Sequence, residues 1–180
     1  MHIQTHILSG WCIGNLVPGL GPRERALCML AASLADVDGL GILVSEEWYW
    51  SLHHKLGHCA AFGLLLSGGL ALVSTRGRRW LALGVYLALF HLHLVLDYLG
   101  SGPGWPLYYY WPVANIEWLN PHAWPFFSWQ NLSAAFAVIG WAVWIAWTRR
   151  RTPLEAWMPS LDRDLVARLP PRRHRVNSLV

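Results

Sequence analysis

The feature that most constrains this chain is a series of apolar stretches that carry few charged side chains. Residues 80–99 hold Asp97 as their only charged residue, and they match the length of about 20 residues that a membrane-crossing helix needs. Four further apolar stretches come close to that length or fall short of it: residues 5–17, 26–44, 59–74 and 132–147. The pattern predicts an all-α fold, a membrane-embedded helical bundle of about four to five helices.

The composition excludes several classes of protein. Apolar residues make up 54% of the 180 residues and charged residues 13%, and the charged share is roughly half that of soluble domains. This balance excludes a disordered chain, a collagen-like fibre and a coiled coil, and it argues against a freely soluble enzyme. The three cysteines form no Cys-x-x-Cys pair, so the sequence shows neither a disulfide framework nor a Cys-rich zinc site.

Two segments depart from the apolar pattern. Residues 100–131 are rich in Trp, Tyr, Pro and Gly, and we expect an aromatic-rich loop that either lies at the bilayer interface or packs as a lid. After Trp147 the chain becomes polar and basic, with a short amphipathic helix expected over residues 154–169. We therefore divide the chain into a membrane-embedded domain, residues 1–148, and a basic, Pro- and Arg-rich tail, residues 149–180.

The arginines predict an orientation. They form three clusters, between the first and second apolar stretches, between the third and fourth, and after the fifth: Arg23/Arg25, Arg76/Arg78/Arg79 and Arg149/Arg150/Arg151. If the helices alternate in direction, all three clusters fall on one side, which the positive-inside rule makes cytoplasmic. We predict a multi-pass membrane protein with a cytoplasmic tail. Because the clusters border apolar stretches, the net charge of +4 indicates a lipid bilayer as partner and no nucleic acid.

The side chains that could bind a metal gather on the opposite, extracytoplasmic side. His93 and Asp97 are four residues apart, so in a helix they project from one face, whereas His91 points away and is expected to be structural. Ionisable groups in an apolar helix are costly and have a partner, a cavity or a function. A His–Asp pair that only holds helices together is the alternative interpretation.

Asp36 and Asp38 are two residues apart and would point in nearly opposite directions on a continuous helix. Either one carboxylate binds the metal, or the helix ends there and frees both; Gly39 and Gly41 favour an ending. In a simple span Asp36 would lie near the middle of the bilayer. A broken helix that lines a wet cavity, or a partly embedded domain, would resolve this conflict.

Three histidines lie within six residues: His53, His54 and His58. His54 and His58 could pair if this segment is already helical, whereas His53 and His58 could converge if His53 lies in the entering loop. His6, in the first turn of an apolar stretch, is weak support by itself. The other histidines are expected on the surface or in loops: His2, His122 and His174.

In their order along the chain, these residues resemble a known family. His6, the run Ala-Asp-Val-Asp at 35–38, the His53–His58 spacing and the His93–Asp97 pair are followed by Trp-Pro elements at 104–112. Over roughly residues 1–115, the set resembles the inner-membrane-associated, metal-dependent hydrolase family typified by YdjM. The resemblance favours His53 over His54 as a ligand and implies a metal site formed by seven residues: His6, Asp36, Asp38, His53, His58, His93 and Asp97.

The sequence departs from the family's pattern at four positions, none of which is an implied ligand. Ala35 replaces a Pro, His54 an Arg, Gly57 a Thr and Cys59 a Ser. The Arg of the pattern could hold an anionic group of the substrate. In this chain, His54 or Lys55 would have to bind the substrate instead.

The candidate ligands are imidazoles and carboxylates, which suit a divalent metal, zinc by default with manganese or iron as alternatives. Seven candidates exceed the four ligands of one tetrahedral zinc, so two ions bridged by Asp36 or Asp97 are an option. We expect a metal-dependent hydrolase that acts on a small-molecule or lipid substrate. Its catalytic residues would be Asp36, Asp38 and His58.

The expected substrate is a phosphoester, a lipid head group or another membrane-proximal ester. This expectation rests on analogy, because the helical His/Asp arrangement is similar to zinc-dependent phospholipase C and related nucleases. The alternatives are a non-catalytic metal- or haem-binding membrane protein and a structural helical membrane protein.

Overall fold

The computed structural model describes residues 1–170 and is built from helices. Seven α-helices follow one another: α1 Ile3–Leu16, α2 Pro22–Ala31, α3 Glu46–Leu52, α4 Ala60–Val73, α5 Arg79–Gly100, α6 Trp129–Arg149 and α7 Pro159–Arg168. Two 3-10 segments cover Leu34–Leu43 and Arg76–Arg78. The described part of the chain holds no β-strand, only an isolated bridge in the aromatic loop between Leu107 and Trp118. The all-α prediction is confirmed; residues 171–180 of the predicted tail, with His174, lie outside the described residues.

The lengths of the helices determine which of them can cross a membrane. Arg76–Gly100 and Trp129–Arg149 are long and apolar enough. Pro22–Ala31 and Leu34–Leu43 are long and apolar enough only when they are taken together, and a bend of 53° separates them. The apolar stretch 26–44 is therefore a broken element rather than one continuous helix. Helix α4, Ala60–Val73, is apolar but shorter than a span.

Close packing of small residues holds the bundle together. Helix α1 packs between α2 and α6, while α2 and α4 pack against α5. A Cβ on Gly10 of α1 would lie 2.3 Å from the carbonyl oxygen of Cys28 in α2, so only glycine permits this approach. Small residues at helix contacts are typical of membrane proteins, because packing rather than water exclusion drives association there.

The three arginine clusters gather at one end of the bundle. Arg25 in α2 donates to both carboxylate oxygens of Glu155, from Nε and Nη2, at 2.6 Å each. Trp11 in α1 donates to the same carboxylate at 3.1 Å, and Arg149 donates to the backbone oxygen of Asn15. These contacts anchor the segment after α6 to α1 and α2, at the end where α5 begins with Arg79.

We expect Glu155→Ala to destabilise the bundle. The side chains of Arg25 and Glu155 are 6% and 8% exposed, and the loss of one partner of a buried ion pair leaves an uncompensated charge, at a cost of about 3 kcal/mol or more. Thermal unfolding of detergent-purified protein should show a midpoint lower by roughly 6–12 °C. Asp164→Ala, at an exposed position of α7, should leave the midpoint unchanged. Equal midpoints for both variants would contradict a structural role of the pair.

Candidate metal centre

His93 and Asp97 lie one turn apart on the buried face of α5, near its C-terminal end. The Oδ2 atom of Asp97 is 2.9 Å from Nε2 of His93 and 3.2 Å from Nε2 of His58. Its Oδ1 atom is 3.1 Å from Nε2 of His6 in α1 and accepts a hydrogen bond from the amino group of Met1. Asp97 is thus the carboxylate on which three imidazoles converge.

Asp36 reaches this cluster from the 3-10 segment that follows α2. Its Oδ1 atom is 3.6 Å from Nε2 of His93 and 3.8 Å from Nε2 of His58. One ligand atom from each of Asp36, His58, His93 and Asp97 lies within 4.8 Å of the others. This group, called the four-residue cluster below, could hold a metal ion. Because α2 ends at Ala31, the chain is free to turn Asp36 inward.

Hydrogen bonds on the far side of each ring fix how the imidazoles face the cluster. The Nδ1 atom of His93 lies 2.9 Å from the backbone oxygen of Ala32. A carbonyl oxygen can only accept, so Nδ1 carries a proton and Nε2 is the nitrogen that faces the cluster. The Nε2 atoms of His93 and His58 are 3.1 Å apart. Two nitrogens at that distance need a proton or a cation between them, and the donor set fits a bound metal.

Asp38 lies behind His58 rather than in the four-residue cluster. Its Oδ2 atom accepts from Nδ1 of His58 at 3.0 Å and from the backbone nitrogen of Gly57 at 2.9 Å. Its Oδ1 atom is 2.8 Å from Nδ1 of His53. The structure therefore brings His53 and His58 together on Asp38. Residues 53–58 are not helical, so the pairing of His54 with His58 along a helix does not occur.

The carboxylates favour a positive charge at His58. Burial by itself lowers the pKa of His58, but hydrogen bonds to Asp38 and Asp97 outweigh this effect and raise the pKa to about 10. His54 has no such partners, and burial together with the nearby His58 lowers its pKa well below the usual range. A metal ion would supply the same positive charge in place of the proton on His58.

A pocket of about 240 Å³ opens beside the four-residue cluster. Asp36 and Asp97 line it together with His53 and His54. His54 has φ 65°, and its buried Nδ1 atom has no hydrogen-bond partner in the part of the chain that the structure describes. Left-handed backbone at a residue other than glycine is costly and concentrates at functional sites.

No sequence motif marks the remaining residues that line this pocket: Met1, Tyr49, Ser101, Trp105 and Phe126. Three of them are aromatic side chains from α3 and from the loop after α5. Their segments carry many aromatic residues, and no periodicity distinguishes one ring from the next. The aromatic composition of these segments is the only signal that pointed here.

Three further residues considered in the sequence lie outside the four-residue cluster: Lys55, His91 and His2. Lys55, predicted to bind substrate, is not among the residues that line the pocket; its Nζ atom lies 4.5 Å above the ring of Tyr108. His91 is exposed and bonds to the hydroxyl of Tyr109, in keeping with a structural role. His2, expected on the surface or in a loop, lies just before α1 but is buried, at 8% exposed, and packs edge-on against Phe126, with ring centroids 4.4 Å apart.

Comparison with known proteins adds one finding. The sequence matches the family described as YdjM inner membrane protein over residues 1–161. The chain belongs to this family. The match extends past the 115 or so residues that the resemblance covered and includes all of α6. No curated protein and no solved structure matches the chain. Family membership and the apolar helices agree on a lipid bilayer as the environment of this protein.

We expect Gly57→Ala to disturb the cluster. A Cβ at this position would lie 1.9 Å from the backbone oxygen of Ala35 and 3.2 Å from Oδ2 of Asp38, so residues 53–58 would have to move away from the 3-10 segment. Overpacking of this kind costs about 1–3 kcal/mol or more, and thermal unfolding in detergent measures it.

Gly68→Ala is the matched control for this variant. Gly68 lies in α4 with open space around the position of its missing Cβ, and alanine favours a helix more than glycine does. We expect an unchanged or slightly higher unfolding midpoint for this variant. If Gly57→Ala is equally well tolerated, the tight fit between residues 53–58 and the 3-10 segment does not exist in solution.

Proposed function

We propose that this protein is a membrane-bound, metal-dependent hydrolase that cleaves a phosphoester, in a lipid head group or another membrane-proximal ester. The observation that carries this proposal is the convergence of Asp36, His58, His93 and Asp97 within 4.8 Å. These residues come from the 3-10 segment, the connection between α3 and α4, and α5. Packing alone gives no reason to bring two carboxylates and two imidazoles so close together.

The four-residue cluster supplies four ligand groups, and a five-coordinate ion held by them would keep one position for a water molecule. We assign Asp36, His58, His93 and Asp97 as ligands, with His6 as a further candidate through its contact with Asp97. Asp38 and His53 are positioning residues in this proposal, because Asp38 is engaged by His53, His58 and the backbone of Gly57. This engagement supports one ion rather than two. Zinc suits the donor set, and manganese or iron would suit it as well.

A divalent ion bound here would supply an activated water molecule and would stabilise negative charge on a phosphoryl oxygen. The protein would position the water molecule and the substrate relative to this ion. The side chain of Asp36 is 21% exposed, against 0–1% for His58, His93 and Asp97. Asp36 is therefore the member of the cluster that a substrate in the pocket can approach, and we assign it the role of accepting the proton from the attacking water.

The position of the cluster along α5 supports a substrate near the membrane surface. Asp97 follows Arg79, the first residue of α5, by a distance of about 27 Å at ~1.5 Å per residue, close to the ~30 Å thickness of the hydrocarbon layer. Large exposed side chains surround this end, with Trp48, Trp50 and Phe127 at 54%, 63% and 83% exposure. Aromatic side chains of this kind prefer the level of the lipid head groups.

We expect purified protein to contain bound metal. Plasma mass spectrometry should find about one equivalent of zinc, manganese or iron in the parent protein and none in His93→Ala or Asp36→Ala, since each variant removes one of the four ligands. Asp38→Asn should bind the metal about 10–100-fold more weakly, because it alters only the group that orients His58. Hydrolysis of phosphodiesters by the metal-loaded parent should disappear with the metal.

His91→Ala provides the control, because His91 lies on the same helix but is exposed and outside the cluster. It should retain metal and activity. If the parent binds no metal after reconstitution with added ions, or if His91→Ala loses metal to the same degree as His93→Ala, the hydrolase proposal fails.

The orientation is a separate proposal, in which the cluster faces the extracytoplasmic side and the arginine-rich end the cytoplasm. Trp48→Cys and Trp157→Cys test it, because both positions are more than half exposed, whereas the native cysteines of the described chain are buried. In right-side-out membrane vesicles, a membrane-impermeant maleimide should label Trp48→Cys and leave Trp157→Cys unmodified until detergent is added. The reverse labelling pattern would overturn the orientation.

A further inference from the structure

Charge is distributed unequally between the two ends of this protein. The described arginines lie at the end away from the pocket: in the first turns of α2, in the 3-10 segment before α5 and at the start of α5, at and just after the end of α6, and in α7. The segments that form the pocket end carry six acidic residues: Asp36, Asp38, Glu46, Glu47, Asp97 and Glu117. Against these acids stand Lys55, which lies over Tyr108, and the amino group of Met1, which is paired with Asp97. In the described chain, no arginine or lysine side chain lines the pocket.

This charge balance matters for an ester that carries phosphate. Sites that bind highly charged phosphoryl groups usually add arginine or lysine to the metal ion. In this protein, Asp36 and Asp97 would neutralise one divalent ion, and the amino group of Met1, which is paired with Asp97, offsets in the sum of charges the charge of Asp38. Against the single Lys55, the excess negative charge of this end therefore comes from three glutamates: Glu46, Glu47 and Glu117. A substrate with further negative groups would be repelled at this end. A substrate whose phosphoester is accompanied by a positive charge would be attracted.

Aromatic rings line the same pocket and could receive such a positive charge. Tyr49, Trp105 and Phe126 contribute to the lining together with Asp36. Tyr49 and Trp105 meet at a steep angle, with ring centroids 5.9 Å apart and an interplanar angle of 76°. His53 stacks on one face of Tyr49, with centroids 4.8 Å apart, so the cation would contact the parts of both rings that His53 leaves open to the pocket. Trp50 stacks on Trp105 with centroids 4.8 Å apart and supports its position. The faces of aromatic rings attract ammonium groups, and Trp does so most strongly.

We propose that the pocket binds an ammonium-bearing head group, with its cationic nitrogen against Tyr49 and Trp105 and its phosphoester towards the four-residue cluster. This inference rests on the proposed function for the direction of the phosphoester. The position assigned to the ammonium group rests on independent observations, namely the aromatic lining and the absence of lysine and arginine side chains from the described lining. The pocket of about 240 Å³ accommodates a head group rather than a whole lipid, whose chains would stay in the bilayer.

Isothermal titration calorimetry on the full chain in nanodiscs tests the proposal with two probes that share a phosphate monoester. Phosphocholine carries an ammonium group and methyl phosphate lacks it. On metal-loaded protein, we expect phosphocholine to bind about tenfold more tightly, as a partly desolvated cation–π contact predicts. Trp105→Leu should abolish this preference while metal content and the affinity for methyl phosphate remain unchanged. Equal affinities in the parent, or a preference that survives Trp105→Leu, would overturn the proposal.

Two further measurements separate this inference from the proposed function. The tetramethylammonium ion needs no metal, so metal-free parent protein should bind it and Trp105→Leu and Tyr49→Leu should not. Trp118→Leu, in the same loop but outside this pocket, should bind it normally. Metal binding and hydrolysis without tetramethylammonium binding would leave the hydrolase proposal standing and reject the ammonium site. A parent protein that binds tetramethylammonium but binds no metal after reconstitution would support the ammonium site and reject the hydrolase proposal.

Discussion

Asp97 places a carboxylate, 2% exposed, near the end of a helix that is long and apolar enough to cross a membrane. An ionised group in such a position costs several kcal/mol unless partners compensate its charge. The compensation comes from imidazoles on other segments, His6 of α1 and His58 of the α3–α4 connection, as well as from His93 on its own helix. The requirement to satisfy Asp97 therefore draws three parts of the chain to one point.

The break after α2 follows from the same requirement. A continuous helix through residues 26–44 would separate Asp36 from Asp38 by more than half a turn. Because α2 ends at Ala31 and a 3-10 segment follows, Asp36 faces the cluster while Asp38 supports His58 from behind. The backbone oxygen of Ala32, next to this break, orients His93. One interruption in an apolar stretch thus supplies a ligand, a positioning carboxylate and a backbone acceptor.

The two ends of the bundle differ in the charged residues that they carry. At the arginine-rich end, Arg25 is buried against Glu155 and anchors the segment after α6. At the pocket end, acidic residues outnumber lysine and arginine side chains, which favours divalent cations and cationic head groups and disfavours polyanions. In the proposed orientation, an apolar layer of about 30 Å lies between the two ends and keeps these charges apart.

The helical class, the apolar stretches and the His93–Asp97 pair could be predicted from the sequence, because they depend on local composition and on helical periodicity. The sequence also singled out every member of the four-residue cluster, since charged and imidazole side chains are conspicuous in apolar surroundings.

The role of each of these residues depends on the tertiary structure. Contacts between residues far apart in the chain decide four features: the break at Ala31, the position of Asp38 and His53 behind His58, the burial of His2 and the contact of Lys55 with Tyr108. The acceptor for His93 is a backbone oxygen that no side-chain pattern encodes. Tyr49, Trp105 and Phe126 line one pocket because α3 and the loop after α5 fold against each other, and long-range packing of that kind leaves no trace in local sequence spacing.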